Sequence, residues 1–160
     1  MKKMVAVLLT AVMIMSTSMA AFAADDQTVS GNSGTTDVKY TTEEAYTVTI
    51  PADVTLTATT LSTTGNVTVT DALLGEGKTL KITVESAKGY KLENGTSNIA
   101  YTLKKGDTTI TADANEVLSV AAGTKTGSAA LTFATSAENV ANATLAGEHK
   151  DTLTFKVALQ

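Results

Sequence analysis

The chain has 160 residues, with 12 Lys+Arg, 16 Asp+Glu, one His and no Cys, and a formal net charge of −4. Every basic residue is a lysine, and an acidic chain without arginine is poorly suited to nucleic acid or anionic membranes, whose recognition rests on basic phosphate contacts. The lack of cysteine excludes a disulfide scaffold and thiolate metal sites, and a chain of this length buries enough surface to fold as one domain without them.

Met1-Lys2-Lys3 is a short basic start, followed by an apolar run from Val5 to Met15 and small residues ending in Ala21-Phe22-Ala23. That order predicts a secretory signal peptide over residues 1–23. The run is shorter than the roughly 20 residues of a bilayer span, so no membrane span is expected after cleavage. All five methionines fall in this segment, and so do Lys2 and Lys3. The mature chain would carry 10 Lys against 16 acidic residues, a net charge of −6. Residues 24–36 are acidic and then rich in Ser, Gly, Asn and Thr, which predicts a flexible leader.

From residue 37 to 160 the pattern is period-two alternation in a threonine- and valine-rich chain, which favours strands. Val38 and Tyr40 begin the first candidate strand. Tyr46/Val48/Ile50, Val54/Leu56, Val67/Val69, Leu80/Ile82/Val84 and Ile99/Tyr101/Leu103 follow, then Ala129/Leu131/Phe133 and Leu153/Phe155/Val157/Leu159. Each reads as a strand with one face buried. Gly65-Asn66, Gly75-Glu76-Gly77, Asn94-Gly95, Gly106-Asp107, Gly123 to Gly127 and Gly147-Glu148 read as turns between them. Pro51 marks a strand end or edge. The Ala- and Asn-rich stretch from Ser136 to Leu145 predicts a helical turn. About eight to ten short strands at regular spacing predict an all-β fold. Its expected form is a single antiparallel β-sandwich of the immunoglobulin-like, Greek-key type.

Residues suited to chemistry are sparse. His149 is the single histidine, without the companion ligands a metal site needs, and reads as an exposed turn residue before the last strand. No Gly-x-Ser-x-Gly elbow is present, and Ser128 follows Gly127 as ordinary turn chemistry. Asp107, Asp113, Asn115 and Glu116 form an oxygen-rich set that could line a ligand loop. Their spacing departs from the calcium-loop pattern. Lys81, Lys91 and Lys156 each sit between apolar residues of a strand, hence on the polar face, which argues against an internal lysine amide crosslink. Tyr40, Tyr46, Tyr90 and Tyr101 read as core or core-rim residues. Asn66, Asn94 and Asn142 begin Asn-x-Ser/Thr sequons. The expectation is a protein without enzymatic activity, cofactor or metal.

The lysine-led signal ending in Ala21 to Ala24, the run Tyr46 to Pro51 and the closing Asp151 to Leu159 resemble small secreted surface proteins of Gram-positive bacteria. These are β-sandwiches of the immunoglobulin-like and pilin-like kind. The Trp-x-Leu motif of one such class, a wall-sorting signal and the Cys…Trp…Cys set of antibody-like domains are all missing. The resemblance implies an exported, surface or extracellular protein with a structural or adhesive role, whose partner is itself or a host or glycan ligand. The leader's Val38 and Tyr40 could add as a strand to a neighbouring subunit and build a fibre. Local pairing of sequential strands predicts instead that this segment folds back on its own sheet. The rival function is a module that binds a glycan or other extracellular ligand through the loops at Asp107–Glu116 or Glu148–Asp151.

Overall fold

A computed structural model describes residues 36–160. The expected signal segment and nearly all of the leader lie outside the described residues.

The described chain is built from antiparallel strands and one short helix. Strands β1 (Ala45–Thr49), β2 (Ser62–Leu73), β9 (Gly127–Ala134), β6 (Thr102–Lys105) and β7 (Thr108–Thr109) pair in that spatial order. A second sheet has the order β10 (Leu153–Leu159), β3 (Thr79–Ser86), β8 (Glu116–Ala121). Strands β4 (Lys91–Asn94) and β5 (Ser97–Ala100) form a separate hairpin. Val67 and Val69 of β2, Leu103 of β6, and Leu131 and Phe133 of β9 meet Leu80, Ile82 and Val84 of β3 and Val117 and Val120 of β8 in one buried cluster. The alternation therefore does what its period requires. It sends one apolar row of each sheet inward and leaves threonine and lysine outside.

Two irregularities follow from bulges. Between β1 and β2 the pairing steps from Ala45↔Leu73 to Thr47↔Thr70, so β2 carries one extra residue. Asp71 sits there with φ +55°, and the next amide, of Ala72, bonds to the Lys125 carbonyl at 2.9 Å. Between β3 and β8 the step is Ile82↔Leu118 to Thr83↔Glu116. That inserted residue explains why neighbours Val117 and Leu118 are both buried.

Several expectations need correction. Residues 36–44 form no strand, so the chain does not fold back at Val38 and Tyr40, which are 95% and 84% exposed. Two apolar side chains amid Thr41, Thr42, Glu43 and Glu44 bury too little to offset the ordering of the segment. The expected strand at Val54/Leu56 is irregular chain. Pro51 lacks an N–H for a ladder, and Thr57 and Thr60 close a turn through mutual backbone bonds of 3.0 and 3.1 Å. Gly65-Asn66 is no turn but the middle of β2. Gly65 is glycine because Pro51 lies against it: a Cβ there would stand 2.8 Å from the Pro51 Cβ. The run Ile99/Tyr101/Leu103 splits, with β5 ending at Ala100 and β6 starting at Thr102. Strand β8 is absent from the expected strands because its inserted residue breaks the alternation. Ser128 lies within β9. The expected helical turn is α1 (Ala137–Ala141), capped by Ser136, whose hydroxyl accepts the Asn139 N–H.

Candidate functional site

Glu44 fixes the point where the irregular segment 36–43 meets the first sheet. Its carboxylate accepts the Gly75 N–H at 2.8 Å and bridges the Lys78 ammonium at 2.8 and 2.9 Å. Those bonds, the lysine's first, hold its carboxyl below the ordinary glutamate value. They tie the start of β1 to the β2–β3 turn, a tether between residues far apart in sequence. Beyond it, towards the N-terminus, Val38 and Tyr40 alternate with Asp37 and Lys39, which approach each other at 3.9 Å in solvent.

The sheets leave strand edges of unequal quality among the described residues. Strand β7 has two residues, and β1 and β8 each carry a bulge in their pairing. Strand β10 pairs with β3 over seven consecutive residues without interruption. Thr79 and Gln160 exchange both backbone hydrogen bonds, at 2.8 and 2.9 Å. By antiparallel alternation, Ala158, Lys156 and Thr154 also point their backbone groups at β3. The N–H and C=O groups of Leu153, Phe155, Val157 and Leu159 therefore face the outer edge. The side chains of the same four residues point inward and pack on the core, yet each stays half-buried. Their counterparts on β3, Leu80, Ile82 and Val84, are fully buried. Among the described residues the edge therefore presents unpaired backbone and an incompletely covered apolar row together.

The entry to β10 is held by a polar cluster. Asp151 accepts hydrogen bonds from the Ser86 hydroxyl (2.6 Å), the Tyr101 hydroxyl (2.7 Å) and the backbone N–H groups of Lys88 (3.1 Å) and Thr152 (2.7 Å). Ser86 Oγ in turn accepts the Tyr90 N–H at 2.7 Å. Burial, and then the hydrogen bond to Asp151, push the Tyr101 phenol well above its ordinary value. Burial, and then the Asp151 charge, raise that of Tyr90. The two rings meet edge to face, with centroids 5.9 Å apart. The Tyr90 hydroxyl is buried and has no hydrogen-bond partner among the described residues. Tyr46, Tyr90 and Tyr101 pack on or in the core as expected, whereas Tyr40 stands in solvent.

The candidate ligand-loop residues are spread over three places. Asp107 lies in the turn between β6 and β7, Asp113 and Asn115 in the segment before β8, and Glu116 opens β8 itself. The Glu116 carboxylate stands 3.6 Å from the Lys81 ammonium, and its carbonyl accepts from Lys105 at 3.1 Å. Among the described residues no three His, Asp or Glu side chains gather as a metal site. His149 is half-buried, not an exposed turn residue: its Nε2 lies 2.9 Å from the hydroxyl of Ser97, which is 2% exposed. Ser97 carried no sequence signal, because a serine in a short polar hairpin is ordinary. No described helix is long and apolar enough to cross a membrane.

No family model matches the chain, and no curated protein matches it in sequence. Among solved structures it is similar to the P pilus rod subunit PapA, with a TM-score of 0.46 and 11% identity, over 71% of this chain and 99% of that one. A likeness of that size defines no family for this chain.

Proposed function

We propose that this chain is an exported, non-enzymatic surface or extracellular protein that serves as a fibre subunit. In this reading the two sheets form one immunoglobulin-like sandwich, and the segment around Val38 and Tyr40 adds as a strand to the β10 edge of a second copy. The observation that carries the reading is the exposure of this alternating segment outside the sheets of the described residues. A flexible chain gains little by keeping a valine and a tyrosine in water unless they are buried elsewhere.

Strand β10 is the acceptor in this account because it is unbulged and offers outward backbone groups beside a half-covered apolar row. Strand addition satisfies both needs at once: main-chain bonds give affinity, and alternate side chains fill the row. Val38 and Tyr40 would face inward with Leu153, Phe155, Val157 and Leu159, leaving Asp37 and Lys39 in solvent. The Glu44–Lys78 tether roots the donor beside Thr79, which pairs with Gln160 at the end of β10; a copy that donates its segment to a second while accepting one from a third would extend head-to-tail. Exchange of both apolar residues for aspartate (Val38→Asp with Tyr40→Asp) tests this. The variant is expected to stay folded and to lose assembly. Unchanged multimers would overturn the reading.

A further inference from the structure

We propose that the segment 142–150, which leads into β10, is held by an acid-sensitive latch made by Ser97 and His149. The hydroxyl of Ser97 accepts the Thr144 N–H at 2.9 Å and lies 2.9 Å from His149 Nε2. The other ring nitrogen, Nδ1, lies 3.2 Å from the Gly147 carbonyl oxygen. A carbonyl only accepts, so Nδ1 carries the hydrogen and Nε2 of the neutral ring is a bare acceptor. Ser97 therefore donates to His149 while accepting from Thr144. The buried hydroxyl is satisfied in both roles, and one atom ties both ends of the segment to β5.

Protonation of the imidazole removes the acceptor of the Ser97 hydroxyl hydrogen. Nε2 gains a hydrogen and becomes a donor, so two donors face the same oxygen. The hydroxyl's own hydrogen then has no acceptor in a site that is 2% exposed. Among the described residues no charged group of the surrounding elements, Lys91 of β4 included, bonds to the ring. On the segment itself Glu148 pairs with Lys150 at 3.4 Å. On β4 the Glu93 carboxylate holds Lys88 at 3.0 Å. Asp151 is bound by Ser86 and Tyr101. Strand β5 has no ionisable side chain, and α1, which packs on it, carries Glu138. Among the described residues the ring's polar contacts are Ser97 and Gly147.

Acid should therefore loosen residues 142–149 while leaving the ties that follow them. These are the Glu93–Lys150 backbone pair, at 2.9 and 3.0 Å, and the Asp151 cluster. This proposal stands whether or not the chain forms fibres.

The test is amide hydrogen exchange of the full mature chain between pH 7.5 and pH 5, corrected for intrinsic rates, beside the variant His149→Gln. Glutamine can accept the Ser97 hydrogen bond and does not titrate. Protection at Thr144 is expected to fall about tenfold or more in the wild type and to stay level in H149Q. The same fall in both proteins, or none in the wild type, would overturn the latch. If H149Q does not fold, ring nitrogen shifts of the wild type decide it. The Nδ1–H tautomer with a Thr144 amide shift that follows ring protonation supports the latch, and an Nε2–H tautomer refutes it.

Discussion

Two tyrosines that touch each other should respond to loss of their hydroxyls with opposite sign. The Tyr101 hydroxyl donates to the Asp151 carboxylate at 2.7 Å, and hydrogen bonds to charged groups contribute about 1.5–3 kcal/mol. Asp151 keeps three other donors, so Tyr101→Phe should cost an amount within that range. At roughly 3–5 °C per kcal/mol for a domain of this size, Tm should fall by about 5–15 °C. The Tyr90 hydroxyl is buried without a partner, and such a group costs about 1–3 kcal/mol of desolvation. The Tyr90 residue is only half-buried, so Tyr90→Phe should gain about 1 kcal/mol, the low end of that range. Both variants keep the edge-to-face rings.

The pH dependence separates the two effects further. Both phenols are held above their ordinary value in the folded protein, so their contribution is fully present below about pH 10, where the unfolded phenol begins to ionise. It is lost as pH rises beyond that. Tyr101→Phe should flatten this alkaline loss. Thermal and urea unfolding at pH 7 and pH 10.5 measures both signs. Equal destabilisation by the two variants, or a stabilised Tyr101→Phe, would refute the assignment of Asp151 as the centre of the cluster.

Glu44 is held below its ordinary value by Lys78 and Gly75. Its tether therefore stabilises above the unfolded glutamate range and is lost as pH falls through the folded value. Glu44→Gln should remove that acid sensitivity in unfolding titrations. Gly65→Ala places a Cβ 2.8 Å from Pro51 and should cost about 1–3 kcal/mol by overpacking, with loss of order over residues 50–56 in exchange or NMR spectra. Val157→Pro removes an amide that faces away from β3. Proline is tolerated on an edge strand, so this variant should keep the fold by circular dichroism while losing its ability to accept a strand in pull-down by a peptide spanning residues 36–42.

The antiparallel all-β character and strands β1, β2, β3, β9 and β10 were legible in the sequence because inward rows such as Leu80/Ile82/Val84 obey a strict period of two. The errors occur where another effect competes with that period. Val54/Leu56 alternates as a strand does, but Pro51 packs on Gly65 and the Thr57–Thr60 turn removes the segment from the ladder. Gly65-Asn66 has turn chemistry, but the close approach of Pro51 requires a residue without a side chain in mid-strand. At Val117 and Leu118 a bulge makes neighbours share one face, which breaks the alternation that would have revealed β8. The exposure of Val38 and Tyr40 was not legible, since local pattern says which residues share a face and not whether a partner strand exists. The Ser97–His149 and Asp151–Tyr101 contacts join residues about fifty positions apart, and no local pattern encodes such pairs.

In the proposed fibre the segment around Val38 and Tyr40 of one copy completes the β10 edge of another. Light scattering after size exclusion, with electron microscopy of the excluded fraction, should be applied to residues 24–160 and to residues 42–160. The account predicts multimers or filaments for the longer chain and a folded monomer for the shorter, which restores no assembly until the missing segment is supplied as a peptide in trans. A longer chain that runs as a clean monomer, or a shorter one that assembles equally well, would contradict it.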